Sequence, residues 1–283
     1  MIQAAAVRQF APDLGPLLYH AGGSIIPTAT TYAIFWFPSK LQNGVATSMS
    51  LHYRAVLQNM LKDYAGHGIG NNNTQYYQII ALKETFIQNK GGFGGSYTDS
   101  SAYPASGCTD TATPGNCVTD AQIRAEIHKV MNLQGWTGGM NKTFLLFTSK
   151  GEGSCFDAAN CAYTVYCAYH SFFNIAGTPV IYGNEPYGET SVCQFPGTPS
   201  PNSDAEADAA ASIASHELTE AITDPLLNAW FTAQGNEIAD LCSYTYGVNT
   251  WNAGKANQMW NGHYYELQQE YDNHKAACVQ LGP

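Results

Sequence analysis

The stretch Ser215–Pro225, SHELTEAITDP, contains residue types that can bind a metal ion and use it. His216 and Glu220 are four positions apart, so on an α-helix both side chains project from the same face and can bind one ion. Glu217 follows His216 directly, in the position that the general base occupies in His-Glu-x-x-His metallopeptidases. Glu220 stands where those enzymes have their second histidine. The segment therefore predicts a metal site in which a carboxylate takes the place of one imidazole.

A second acidic pair follows in GNEIADLC (235–242). Glu237 and Asp240 are three positions apart, so a helical turn would point both side chains the same way. In zinc proteases whose third ligand is a glutamate, that residue lies on a later helix and an acidic neighbour orients the first histidine. We therefore expect Glu237 to be the third ligand and Asp240 to be the partner of His216. A solvated helix end would show the same spacing.

His170 also carries a local signal, because it lies three residues after Cys167 and is surrounded by aromatic residues. The simplest interpretation is a packed or hydrogen-bonded core histidine. The functional alternative places it near the metal, as a ligand or as a donor to an oxyanion. The sequence alone leaves open whether Glu237, Asp240 or His170 supplies the third ligand.

The chemistry of such a site follows from its ligands. One neutral imidazole and two carboxylates cancel the charge of a divalent ion, so a bound water would be less acidic than at a three-histidine site. Zinc is the expected cofactor because of His216, with calcium or manganese as alternatives because most ligands are oxygens. Glu217 would take the proton of the water, and a peptide bond of a peptide or protein substrate would be hydrolysed. The competing hypothesis is a non-catalytic extracellular or cell-wall-associated module with a structural metal, which binds a glycan or a protein partner.

The composition is that of a globular protein with few charges. The chain has 283 residues, of which 45% are hydrophobic and 12% charged, and its net charge is −10. This length can bury a large core, and we expect one compact domain over 1–283 with possible sub-lobes at 1–197 and 198–283. The 12 Lys and Arg residues form no run, which argues against nucleic-acid binding. No stretch approaches the roughly 18 apolar residues of a membrane span, and the opening MIQAAAVRQF does not match an intact signal peptide.

The eight cysteines favour an extracellular location. None forms a Cys-x-x-Cys pair, and an even number separated by short polar spans is typical of disulfides in an oxidising compartment. Eight cysteines allow about 105 pairings. The two local pairs, Cys108–Cys117 and Cys155–Cys161, are expected first, and Cys167–Cys193 and Cys242–Cys278 follow by elimination.

Strands and helices alternate through the first half of the chain, which predicts an α+β fold with a mixed sheet. Strands are expected at 30–38, 74–82, 142–149 and in the tyrosine-rich tail at 259–271, where aromatic sugar binding is the alternative. Helices are expected at 45–66 and at 119–135, the latter capped by Thr119 or Asp120. The span 89–117 is expected to be a long loop in which GGFGG forms a turn.

The helix that carries His216 should begin near Ser203 and pack against the sheet. The spacing of Ser203 and Glu206 matches a capping box, and Pro225 ends the helix after Asp224. The alanines of its first half would let it lie close to its neighbours.

Several separated segments resemble the EXORDIUM / phosphate-induced protein 1 family. SHELTEAITDPLLNAW followed by NEIADLC resembles the family signature, YHAGG resembles its N-terminal stretch, and the segment that ends in Cys167-x-x-His170 resembles its cysteine-rich part. VCQFP around Cys193 is similar to a later element. The resemblance implies a secreted or cell-wall protein with a zincin-like site. Plant relatives tend to have Asn at the position of Asp224, which implies that this carboxylate is not essential.

Overall fold

The computed structural model describes residues 15–194 and 196–283, so MIQAAAVRQF and Phe195 of VCQFP lie outside the described residues. The strands are β1 (Leu18–Tyr19), β2 (Ala29–Trp36), β3 (Tyr77–Ile80), β4 (Lys83–Phe86), β5 (Gly91–Asp99), β6 (Cys117–Thr119), β7 (Lys142–Thr148), β8 (Gly153–Cys155), β9 (Tyr169–Ile175), β10 (Thr178–Glu185), β11 (Trp230–Phe231), β12 (Gln258–Trp260), β13 (His263–Tyr265), β14 (Glu270–Asp272) and β15 (Ala277–Val279). The α-helices are α1 (Tyr53–Asp63), α2 (Gly68–Asn71), α3 (Asp120–Gln134), α4 (Thr190–Cys193) and α5 (Ala205–Thr223). Short 3-10 turns lie at Asn72–Gln75, Asp240–Cys242 and Asn252–Gly254.

A five-stranded mixed sheet lies at the centre, in the order β5-β2-β7-β10-β9. β2 pairs in parallel with β5 and β7, β7 pairs in parallel with β10, and β9 runs antiparallel to β10. Because successive side chains of a strand point to opposite faces, β2 serves two cores. Ala33 and Phe35 pack in the core of α1 and α5, whereas Ile34 and Trp36 pack in the core of α3. The predicted α+β class with a mixed sheet is confirmed.

Helix α3 begins where the sequence predicts. Thr119 is its N-cap, and its hydroxyl accepts a hydrogen bond from the backbone N–H of Gln122, while the Gln122 side chain accepts one from the Thr119 N–H. This reciprocal pair satisfies two backbone donors that a helix start leaves exposed. At the other end Gly135 adopts φ 67°, a left-handed conformation that glycine reaches without steric cost.

Helix α1 is shorter than predicted, because it begins at Tyr53 and not near residue 45. Tertiary hydrogen bonds hold the preceding residues outside the helix: the Ser50 N–H donates to the Tyr187 hydroxyl at 2.7 Å, and the His52 N–H donates to Asp204 Oδ2 at 3.0 Å. Leu51 is 89% exposed. The apolar residues of this stretch match helical spacing in the sequence, but in the structure they do not form a buried helix face.

The loop predicted at 89–117 contains β5, which includes GGFGG. A Cβ on Gly94 would lie 2.4 Å from ring atoms of Tyr32 in the neighbouring strand. The glycine therefore allows the Tyr32 ring to lie against β5 next to a register shift between Thr31 and Tyr32. The interpretation of GGFGG as a turn was wrong.

Two other strand predictions are corrected in extent. The predicted strand at 74–82 contains a 3-10 turn followed by the shorter β3, which pairs with β4. The single strand predicted at 259–271 is replaced by the β12–β13 hairpin and by β14, which pairs with β15. Asn261 and Gly262 both adopt positive φ in the connection, a pairing of residue types that is typical of a tight hairpin turn.

Helix α5 is capped by Asp204 and not by Ser203. The Asp204 carboxylate accepts a hydrogen bond from the Ala207 N–H at 3.1 Å, and Ser203 lies outside the helix with φ 55°. The residues from Ala207 to Thr223 are all buried, and the helix packs against α1, β9 and β10. Gly188, in the loop after β10, also permits a close approach to this helix: a Cβ on Gly188 would lie 2.5 Å from the Glu206 carbonyl oxygen.

All four predicted disulfides are present, at Cys108–Cys117, Cys155–Cys161, Cys167–Cys193 and Cys242–Cys278. Such a set is typical of proteins that fold in an oxidising compartment. Among the described residues, no helix is both long and apolar enough to span a bilayer.

Candidate metal centre

Helix α5 places His216, Glu217 and Glu220 in the interior of the protein. His216 and Glu220 lie one turn apart, and His216 Nε2 is 3.1 Å from Glu220 Oε1. His216 is 1% exposed, and Glu217 and Glu220 are fully buried. Buried charges are costly unless they are paired or bind a metal, so three such residues on one helix require compensating partners.

Strand β9 brings His170 to the same point. Its Nδ1 lies 3.6 Å from Glu217 Oε2 and 3.7 Å from Glu220 Oε2. Its Nε2 lies 3.2 Å from the carbonyl oxygen of Asp224, to which it donates a hydrogen bond. Because a carbonyl only accepts, Nε2 carries a proton, and in the neutral form of the ring Nδ1 presents a lone pair to the two glutamates. A metal-binding histidine usually has this arrangement, with its other N–H on a backbone carbonyl or carboxylate.

The segment around Glu237 and Asp240 adds two carboxylates, although it is not the helix that the sequence predicts. Asp240 begins a 3-10 turn and Glu237 precedes it. The turn is held by backbone donors: the Glu237 N–H donates to Asp240 Oδ2, and the Asp240 N–H donates to Glu220 Oε1 at 3.1 Å. Glu237 Oε2 lies 3.8 Å from His170 Nε2, and Asp240 Oδ1 lies 3.6 Å from His216 Nε2.

These residues form two overlapping triads. The first consists of His170, Glu220 and Glu237 and the second of His216, Glu220 and Asp240, and within each triad the ligand atoms lie within 4.8 Å of one another. The structure thus places the expected ligands His216 and Glu220 together but groups Glu237 with His170. Asp240 lies on the Nε2 side of His216, where a ligand would lie.

Sequence reasoning missed the residue that orients His216. The side-chain nitrogen of Gln268 lies 2.9 Å from His216 Nδ1 and donates to the Ala239 carbonyl oxygen at 2.8 Å. A glutamine in the aromatic tail carries no motif. A hydrophobic context was the one available signal, because Gln268 adjoins the buried Leu267.

Two further carboxylates near the centre were also missed. Glu185 ends β10 and Glu270 begins β14, and both are almost fully buried. Burial raises the pKa of both groups well above the usual glutamate value, and the charge of Glu217 raises that of Glu185 further. The signal for Glu185 was a charged residue at the end of an otherwise uncharged strand, TPVIYGNE.

Carboxylates dominate the electrostatics of the centre. Burial alone would lower the pKa of His170, but the carboxylates of Glu217 and Glu220 raise it to about 10. The pKa of His216 is raised as well, against the effect of burial, by the charge of Glu220 and by the nearby carboxylate of Asp240. Burial would raise the pKa of Glu220, yet the two histidines hold it at about 2. Burial and then the charge of Glu220 raise the pKa of Glu237 well above its usual value.

The donor atoms fit a divalent cation. Buried atoms that make no hydrogen bond within the described part of the chain include His170 Nδ1, His216 Nε2, Glu220 Oε2 and both carboxylate oxygens of Glu237. An imidazole nitrogen with two or three carboxylate oxygens is a ligand set that zinc accepts, and its oxygen content also suits manganese or calcium. A small cleft lined by the Cys167–Cys193 disulfide, Tyr244, Tyr246 and Gln268 reaches His216 from outside.

Fold and centre together define a disulfide-rich α+β protein with a buried histidine–carboxylate cluster between α5, β9 and the segment 237–240. The chain is similar to protein EXORDIUM-like 3 of Arabidopsis thaliana, with 34% identity over 117 residues that cover 34% of this chain and 34% of the relative. The match supports the resemblance to the EXORDIUM family and spans about a third of the relative's length. No family model matches the sequence, and no solved structure matches it.

Proposed function

We propose that this protein is a secreted metal-dependent peptidase whose centre is formed by α5 and the segment 237–240. The observation that carries the proposal is the placement of Glu217 between two potential ligands of its own helix, His216 and Glu220, with His170 opposite. Four disulfides support an extracellular location.

The proposed cofactor is zinc, held by Glu220 with His216 and the acidic residues of the segment 237–240. When bound, zinc would polarise a carbonyl and lower the pKa of a water molecule. A residue of the chain carries out the proton transfer: Glu217 accepts the proton of that water and passes it to the leaving amine. Gln268 fixes the ring of His216, and the Asp224 carbonyl fixes the ring of His170.

The test is the substitution Glu217→Gln, which keeps the size of the side chain and removes its ability to accept a proton. We expect the variant to bind metal as the parent does and to lose hydrolysis of a peptide library by about 10²-fold or more. Glu84→Gln is the matched control, because Glu84 is an exposed residue of β4 far from the centre in sequence and should leave both properties unchanged. A Glu217→Gln variant that cleaves as fast as the parent would refute the catalytic role.

The burial of the centre favours a second candidate function. His216, Glu217, Glu220 and Glu237 are at most 1% exposed, and structural metal sites are closed in this way. On this alternative the metal holds α5, β9 and the segment 237–240 together, and the protein acts as an extracellular or cell-wall module that binds a glycan or a protein partner. Stoichiometric metal without hydrolysis of any library peptide, together with a large loss of thermal stability on chelation, would support the module and overturn the peptidase.

A further inference from the structure

The Glu220 carboxylate is shared between two histidines that lie on different elements. Its Oε1 is 3.1 Å from His216 Nε2 on the same helix, and its Oε2 is 3.7 Å from His170 Nδ1 on β9. A carboxylate that ligates one ion usually directs its oxygens to a single point. Two oxygens that face two separate imidazoles have the arrangement of a bridging ligand.

Each histidine also has a carboxylate of its own. Glu237 Oε2 lies 3.8 Å from His170 Nε2 and Asp240 Oδ1 lies 3.6 Å from His216 Nε2, and each set of three residues forms a compact triad. Two donors bonded to one zinc ion at about 2.1 Å and at a tetrahedral angle are roughly 3.4 Å apart. The separations from His170 Nδ1 and His216 Nε2 to the carboxylate oxygens, at 3.1, 3.6 and 3.7 Å, are close to that value, and two of the three are too long for a direct hydrogen bond.

The unsatisfied atoms occur on both sides of Glu220. His170 Nδ1 and Glu237 on one side, and His216 Nε2 on the other, make no hydrogen bond in the described structure although these side chains are at most 1% exposed. A buried polar atom without a partner destabilises the fold, because it has lost its hydrogen bonds to water. One ion in either triad would leave the histidine of the other triad unsatisfied.

The region also holds more carboxylates than one ion uses as ligands. Seven carboxylates with little or no exposure surround the two histidines: Glu185, Glu217, Glu220, Asp224, Glu237, Asp240 and Glu270. A tetrahedral ion takes four ligands in all, so one ion leaves several of these buried carboxylates without a cation.

We propose that Glu220 bridges two divalent cations, one held with His170 and Glu237 and the other with His216 and Asp240. The inference rests on the proposed function only in that the same site must bind metal, and it does not depend on hydrolysis. Pairs of metal ions recur in enzymes, where they activate a water molecule and stabilise both the attacking and the leaving oxygen of a displacement reaction.

The two positions are not equivalent, because their histidines differ in tautomer. The Asp224 carbonyl leaves His170 Nδ1 ready to bind. Gln268, in contrast, directs its amide nitrogen both to the Ala239 carbonyl and to His216 Nδ1, which favours a proton on Nε2. The amide of Gln268 must rotate before His216 Nε2 can bind an ion, so the His170 position fills first.

The decisive experiment uses the wild-type protein, stripped of metal and titrated with Mn²⁺. We expect a stoichiometry of two per chain, reached in two steps, and at saturation an electron paramagnetic resonance spectrum with the exchange coupling of a bridged pair. His170→Asn and His216→Asn should each bind one ion and lose the coupling. His263→Asn is the matched control, because His263 pairs with Asp63 away from the centre, and it should bind two.

Saturation at one ion per chain, or two ions with the six-line spectrum of isolated Mn²⁺, would overturn the bridge even if the His variants fail to fold. These outcomes separate this inference from the proposed function. Two coupled ions without peptide hydrolysis would support the bridge and refute the peptidase. One ion with Glu217-dependent hydrolysis would support the peptidase and refute the bridge.

Discussion

The Cys242–Cys278 disulfide should affect both the stability of the fold and the metal centre, and the two effects can be separated. Cys242 lies two residues after Asp240, and Cys278 lies in β15 opposite Tyr271, next to Glu270. The bond closes a sequence separation of 36 residues. A loop of that size predicts a loss of about 4 kcal/mol when both cysteines are replaced by serine. For a chain of 283 residues this corresponds to roughly 6 °C in the unfolding temperature.

The matched control is the double serine variant of Cys108–Cys117, which closes a separation of 9 residues and should lose about 2.5 kcal/mol. Both variants are unfolded thermally with saturating metal and with chelator, and metal affinity is measured by calorimetric titration. We expect the Cys242–Cys278 variant to lose metal affinity about 10-fold, because the turn that holds Asp240 is no longer fixed. The control should lose stability alone. Equal metal affinity in the two variants would refute the idea that this disulfide positions Asp240.

Two further predictions concern residues outside the centre. Thr119→Ala removes the side-chain acceptor of the α3 cap and should lower the free energy of unfolding by about 1 kcal/mol, as measured by urea denaturation. The metal stoichiometry should not change. An unchanged urea midpoint would show that the cap does not stabilise α3. Burial raises the pKa of Glu152 from 4.5 to about 7, so the folded protein keeps a proton that the unfolded chain loses. Relative to Glu152→Gln, which does not titrate, the wild type should therefore be most stable below pH 4.5 and lose up to about 3 kcal/mol as the pH rises from 4.5 through 7. Parallel stability–pH curves for the two proteins would contradict this.

The elements that the sequence predicted well are those whose signals are local. The α3 cap depends on Thr119 and Gln122, which are three residues apart, and β2 and β7 contain the continuous apolar runs YAIFW and FLLF. The disulfides could be paired because two of them span short polar loops. The start of α1 failed because distant partners, Tyr187 and Asp204, fix the residues before it, and no local pattern contains that information.

In the candidate centre too, the residues with a local spacing signal were predicted and the residues without one were not. His216 and Glu220 were found because helical spacing places them together, whereas the position of His170 depends on the register of β9 against β10. Glu185, Gln268 and Glu270 lie on separate elements and share no spacing with the α5 residues. The third ligand could not be assigned, because Glu237 and Asp240 face different histidines once their segment forms a turn and not a helix.

The pairing of β1 with β11 has a consequence for how the chain acquires its structure. Leu18 lies opposite Phe231, and the neighbouring Leu17 exchanges hydrogen bonds with the side chain of Asn273. Closing a loop of this length costs on the order of 5 kcal/mol in chain entropy before any contact compensates for it. These contacts also cannot form during synthesis until almost the whole described chain has emerged from the ribosome. Folding that depends on such distant pairings is slow, so the oxidation of the local cysteine pairs can precede it.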